Sequence, residues 1–104
     1  MVIMKIYIAG KITGDPNYKR KFNKAEKILA DKGCDVMNPA WLVAYPGFTY
    51  IDYMAVSTEM QMRCDAVLFL DNWKDSNGAK EEYERARRLG QELFFKIDKI
   101  PQMR

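Results

Sequence analysis

Two adjacent glutamates, Glu81 and Glu82, sit in residues 76–90 (SNGAKEEYERARRLG), where a Ser-Asn-Gly turn runs into a helix-patterned segment. A carboxylate fixed at a pocket edge can act as a nucleophile or as a strong hydrogen-bond acceptor. The rest of the chain narrows that chemistry, because it contains no histidine. A Ser-His-Asp triad, a Cys-His pair and a histidine-ligated metal centre are thereby excluded. Acid-base or nucleophilic work must come from Asp, Glu, Tyr, Lys, Cys or water. The two cysteines, Cys34 and Cys64, form no C-x-x-C pair, so neither zinc nor thioredoxin-like redox chemistry is supported. They read as reduced, largely buried thiols of a cytoplasmic protein. No metal and no cofactor are expected.

Helical residues advance by about 100° each, which separates the two glutamates. Ala79, Tyr83, Ala86 and Gly90 form a narrow stripe suited to packing on a sheet. Glu81 falls on the water side with Lys80, Glu84, Arg85, Arg87 and Arg88. Glu82 alone among the charged residues falls on the apolar flank, beside Ala79 and Ala86. An unpaired buried charge is costly, so this position implies a cleft edge rather than full desolvation. It also lies near the helix N-terminus, whose dipole favours an ionised carboxylate. A glutamate that merely stabilises the helix would sit in the same place, so geometry leaves both readings open.

The elements that position this helix follow from pattern. At 104 residues the chain, 1–104, has material for one domain. Its opening segment is apolar but too short and interrupted for a signal peptide or membrane span, so no membrane association is expected. The net charge of +3 is mild, and the basic cluster YKRKFNK reads as the wet face of a helix rather than a nucleic-acid surface. VIMKIYIAG is a first strand. A helix follows with Asp15 as N-cap and Pro16 at its first position, carrying Tyr18, Phe22, Ala25 and Leu29 at helical spacing and stopping at Gly33. CDVMNP is a short second strand, and residues 40–48 are irregular. Thr49 and Asp52 resemble a capping box that opens a helix to about Arg63. AVLFL reads as a central strand covered on both faces. ELFFKI follows the Glu82 helix as a last strand, and DKIPQMR is a polar tail that docks loosely or meets a partner chain.

Strands alternating with helices imply a doubly wound (Rossmann/flavodoxin-like) α/β domain with a four- to five-stranded, mostly parallel sheet. Ligands of such sheets bind outside the carboxyl ends of the strands. The loops 9–14, 38–41 and 71–78 meet at that edge with the start of the Glu82 helix. Residues 9–15 (AGKITGD) match neither G-x-G-x-x-G nor a P-loop. Gly10 and Gly14 permit close backbone approach, and Lys11 and Thr13 could hold a phosphate, or the loop is a plain turn. Ser76 is either an N-cap or a hydroxyl donor to a phosphate at a helix N-terminus. Tyr7 is either core or a donor to a cleft carboxylate, and Trp73 either packing or a wall for a planar base.

KIYIAGKITG, CDAVLFLDNW and SNGAKEEYERARRLG together resemble the nucleoside 2-deoxyribosyltransferase superfamily, which includes deoxynucleoside 5'-monophosphate N-glycosidases. The closest likeness is to a short bacterial and phage branch. The resemblance implies that Glu82, spaced from Ser76 with Gly78 between, attacks the anomeric carbon to form a glycosyl ester, and that Tyr7 orients it. It further implies phosphate binding by residues 10–14, with Lys11 where a serine is usual and Thr13 where an arginine is usual. Ser76 in place of an aspartate leans towards phosphorylated substrates. Active relatives carry an aspartate where this chain has Ser57, and Asp71 and Asp52 are the nearby carboxylates that could stand in for it. Lys80 falls in a turn that relatives keep small. The implied function is cleavage or transfer of the N-glycosidic bond of a (deoxy)nucleoside 5'-monophosphate. The alternative is an inactive module that binds a nucleotide derivative. A homodimer or larger homo-oligomer is also implied.

Overall fold

The computed structural model describes residues 3–103. Its elements are β1 (Lys5–Ala9), α1 (Tyr18–Asp31), β2 (Asp35–Met37), α2 (Tyr50–Met62), β3 (Ala66–Phe69), α3 (Asn77–Leu89) and β4 (Glu92–Phe94). Single 3-10 turns occupy Pro39–Trp41, Trp73–Asp75 and Ile97–Lys99. Among the described residues the sheet has four strands, all parallel, in the order β2-β1-β3-β4. This is the doubly wound α/β architecture that the alternation of strands and helices implies.

β1 and β3 occupy the middle of the sheet and are buried along both faces, as their unbroken apolar runs require. Strand alternation assigns the faces. Ile6 and Ile8 pack with Phe22, Ala25 and Leu29 of α1, joined by Ala66, Leu68 and Phe94. Tyr7, Ala9, Val67 and Phe69 turn the other way, towards Cys64 and the Ala86 of α3. That parity sends the tyrosine to the face that α3 covers.

Two local signals hold as read. Thr49 accepts the Asp52 N–H at 3.3 Å while Asp52 accepts the Thr49 N–H at 2.7 Å, a complete capping box. Gly33 takes φ +90° directly after α1, a left-handed conformation that a side chain would strain. Three boundaries differ. Val2 lies outside the described residues, and β1 begins at Lys5. α1 starts at Tyr18 rather than Pro16, because the Asp15 carboxylate closes a tight turn on the Asn17 N–H (2.9 Å) and is also bonded by Lys21 and Asn72. β4 stops at Phe94, three residues short of the expected strand, as the chain bends into the Ile97–Lys99 turn.

That bend also corrects the reading of the tail. Ile100 is only 1% exposed and completes the α1 core. The Ile100 carbonyl accepts from the Lys32 ammonium at 2.9 Å, and the Met103 N–H donates to the Lys32 carbonyl at 2.6 Å. Among the described residues, no helix is long and apolar enough to cross a membrane.

Candidate active site

α3 is anchored at its start by Ser76, whose hydroxyl accepts the Ala79 N–H at 3.1 Å. The helix buries Ala79 and Ala86 against the sheet, and Glu82 follows them in, at 5% exposure, while Glu81 stays in water. The Tyr7 hydroxyl donates directly to the Glu82 carboxylate. Tyr7 is itself fully buried, so the bond is sheltered from competing water. The two residues lie 75 positions apart, joined by the parity of β1 and the phase of α3.

Burial pushes the Glu82 carboxyl up from its ordinary 4.5 to about 7, against the opposing pull of the Tyr7 hydroxyl and the Arg85 guanidinium, with a further upward push from Glu81. The expected cleft-edge carboxylate, ionised by the helix dipole, is therefore half protonated at neutral pH. Desolvation outweighs the helix terminus here. Tyr7 is raised well above its ordinary value, by burial first and then by the Glu82 charge and bond, with the Ser57 hydroxyl and Arg85 pulling it back. The tyrosine thus remains a proton donor throughout the physiological range.

A cavity of about 320 Å³ opens beside this pair at the carboxyl ends of β1 and β3. The strand order changes direction there, since β1 connects to β2 on one side and pairs with β3 on the other. Tyr7, Glu82, Ser57, Ser76, Gly78, Gly10 and Thr13 all line it. Ser76 is the N-cap of α3 and also lines the cavity. A Cβ on Gly78 would lie 3.1 Å from the Tyr50 hydroxyl and 3.3 Å from the Met54 sulfur, so the bare glycine keeps α2 and α3 close at the wall. A Cβ on Gly10 would meet Leu70 at 3.1 Å, so packing alone demands that glycine.

The remaining expected residues do not line the cavity. The Lys11 N–H donates to Asn72 at 3.3 Å, and its side chain lies along Gly14, within 3.4 Å of where a Cβ there would stand. Gly14 itself is needed for a φ of +85°. Asp71 faces a second, more open cleft with Lys21, Lys24 and Lys96. Trp73 stacks on Tyr83 at 4.9 Å between ring centres and packs on Phe69, as a core residue rather than a wall of the cavity. Asp52 is exposed and held in the capping box, and Lys80 is exposed. Among the described residues Glu82 is the only charged side chain that lines the cavity.

The cavity walls come largely from residues whose sequence signal was weak. Tyr18, Leu42, Tyr50, Tyr53 and Met54 supply an apolar lining suited to a planar ring. The Tyr53 hydroxyl donates to the Val43 carbonyl at 2.9 Å and accepts the Tyr45 N–H at 2.7 Å, fastening the loop before α2 to that helix. Asn38, fully buried, accepts the Ala40 N–H and donates to Asn23 and Glu26 of α1, which seats Pro39 at the cavity. Gln61 and Arg85 were also missed. Arg85 was placed on the water side, yet its guanidinium reaches back to the Gln61 carboxamide at 2.8 Å. Among the described residues, no group of three or more His, Cys, Asp or Glu side chains could hold a metal.

The fold, a four-stranded parallel sheet with helices on both faces, has solved counterparts. The chain superposes on a 2-deoxyribosyltransferase from Bacillus psychrosaccharolyticus with a TM-score of 0.68 and 23% identity, covering 86% of this chain and 69% of that one. It superposes on a conserved protein from Enterococcus faecalis V583 with a TM-score of 0.65 and 21% identity, over 88% of this chain and 62% of that one. At those identities the likeness is one of fold. Residues 4–95 match the family described as a domain of unknown function, DUF4406, and the chain belongs to that family. A search of curated proteins finds no match.

Proposed function

We propose that the chain, acting as one domain over residues 1–104, cleaves or transfers the N-glycosidic bond of a (deoxy)nucleoside 5'-monophosphate. The observation that carries this reading is the buried Glu82 carboxyl, held by the Tyr7 hydroxyl at the wall of a ring-sized cavity. The structural neighbour from Bacillus psychrosaccharolyticus is a 2-deoxyribosyltransferase, which supports glycosyl chemistry at this site. In the ionised form, a Glu82 oxygen attacks the anomeric carbon while the carbon–nitrogen bond breaks and its electron pair leaves with the base. The base takes a proton from water. Water or a second base then attacks the same carbon, losing its proton to the hydroxide left by the first step, which releases the sugar from Glu82 and restores the carboxylate, so the configuration is retained. Tyr7 donates to the Glu82 oxygen that is not attacking and fixes the direction of the carboxylate. Thr13, Ser76 and the backbone at Gly10 and Ile12 receive the 5'-phosphate, as their positions at the cavity favour.

A second reading rests on the lining itself. Among the described residues Glu82 is the only carboxyl there and no lysine or arginine lines the cavity, while Ser57 stands where the resemblance implies an aspartate in active relatives. On that reading the protein is a nucleotide-binding module without turnover. Incubation with a panel of ribo- and deoxyribonucleosides and their 5'-monophosphates, with free base followed by chromatography, separates the two. Base released by the parent and lost in Glu82→Ala supports the enzyme; saturable binding with no base release from any substrate replaces it with the module. If only unphosphorylated nucleosides react, the phosphate assignment is wrong while the chemistry stands.

The protein acts in the cytoplasm as a homodimer or larger assembly. Tyr45, Phe48, Tyr50, Ile51, Val56 and Met62 are exposed apolar or aromatic side chains on α2 and the loop before it, part of which a second copy would cover. Sedimentation of the parent as a monomer at micromolar concentration would remove that assignment.

A further inference from the structure

Gln61 is the largest buried polar side chain outside the Glu82–Tyr7 pair, with no exposed surface at all. It sits in the last turn of α2, and its carboxamide bonds in three directions. Nε2 donates to the backbone carbonyl of Glu82 at 2.8 Å and to the Gln91 side chain at 3.1 Å. Oε1 accepts from Arg85 at 2.8 Å. Gln91 in turn donates to the Gln61 and Cys64 carbonyls at 2.8 and 2.9 Å, satisfying the C-terminal end of α2. One amide thus ties α2, α3 and the start of β4 together directly behind the candidate nucleophile. A leucine of similar size would fill the same volume, so packing does not account for an amide here.

Arg85 lies three residues after Glu82 on α3, neighbours on the helix surface. A guanidinium left to itself would extend into water, where its attraction for the carboxylate is screened. The bond to Gln61 turns it inward instead. The other ionisable groups facing Glu82 are Tyr7 from β1, Glu81 from α3 and Tyr50 from α2, none of which is a cation.

We propose that Gln61 is a positioning residue, which holds the Arg85 guanidinium on the inner side of α3, near the Glu82 carboxyl but beyond ion-pair contact with it, and fixes the α3 backbone at Glu82 through its carbonyl. The assignment rests on the glycosyl reading for its purpose, but its geometry is tested without substrate. Arg85 is among the influences that lower Glu82 against its burial, so releasing it should raise the carboxyl's midpoint. The experiment is a carbon-13 carboxyl NMR titration of glutamate-labelled protein, with the Glu82 signal identified by its loss in Glu82→Gln. Arg85→Met and Gln61→Met should each raise the midpoint by about one pH unit, the lower end of the effect of one adjacent opposite charge. The double variant should go no further than Arg85→Met alone.

An unchanged midpoint in a folded Gln61→Met, or shifts that add in the double variant, would overturn the assignment. Should Gln61→Met fail to fold, Gln91→Met removes a partner of the same amide from a half-buried position. A rise there supports Gln61 as the holder of Arg85, and no rise sinks it. Base release in the substrate panel with no shift in any titration rejects this proposal alone; a shift without base release rejects the glycosyl reading and leaves this one standing.

Discussion

A carboxyl sealed beneath a tyrosine hydroxyl reacts only in the fraction that is ionised. With Glu82 near 7, that fraction rises through neutrality, so kcat/KM should climb with pH along a limb centred at about 7. A limb centred near 4.5 would mean that another group governs the reaction. Tyr7→Phe removes a hydrogen bond to a charged group, worth roughly 2 kcal/mol, and should lower kcat/KM by about thirtyfold. It should also move the limb upward, since the Tyr7 hydroxyl stabilises the charged form. A rate within twofold of the parent would assign Tyr7 to the core alone. Glu82 could be singled out by phase because α3 is regular and its neighbours on the wheel are small. Arg85 could not: a wheel places Cα directions, whereas a long side chain can fold back across a third of a turn to find a buried partner.

At the scale of elements, the cavity depends on how closely α2 approaches α3, and Gly78 sets that distance. Gly78→Ala should leave the melting temperature within a few degrees, because the atoms it meets are the movable ends of Tyr50 and Met54 and alanine favours the helix. Ligand binding, read by calorimetry, should weaken about tenfold or more as those ends are driven into the cavity. Unchanged affinity would show that the wall yields outward. The alternation of strands and helices, the parallel sheet and the capping box follow from local pattern, and so were legible. The docked tail and the cavity walls were not. One isoleucine in DKIPQMR carries no periodicity, and the tyrosines of α2 belong to a helix apolar on several sides, which gives no phase from which to tell cavity from solvent.

For the molecule as a whole, a buried acid links folding to pH. Glu82 binds its proton more tightly folded, at about 7, than its ordinary value of 4.5. Protonation therefore favours the folded state, and stability should be fully present below about 4.5, fall as pH rises to about 7, and level off above. The loss amounts to roughly 3 kcal/mol. Urea midpoints of parent and Glu82→Gln across this range check it, with the variant expected to lack the fall and to be the more stable protein above neutrality. Parallel curves would place the carboxylate in water. A site that lowers the stability of its own scaffold is consistent with selection for chemistry over packing.

The burial of Glu82 has one more consequence, in proton counting. Histidine is the side chain that ordinarily takes up or gives off protons near neutrality, and this chain has none. Its two thiols are pushed upward by burial, Cys64 to about 11, and so are silent there. Calorimetry with an unphosphorylated nucleoside, which carries no phosphate titrating near 6, in buffers of different ionisation enthalpy would therefore record, at pH 7, a side-chain proton exchange that belongs to a single carboxyl. The sign of that exchange reports whether the bound molecule meets Glu82 as an acid or as an anion, before any bond is broken.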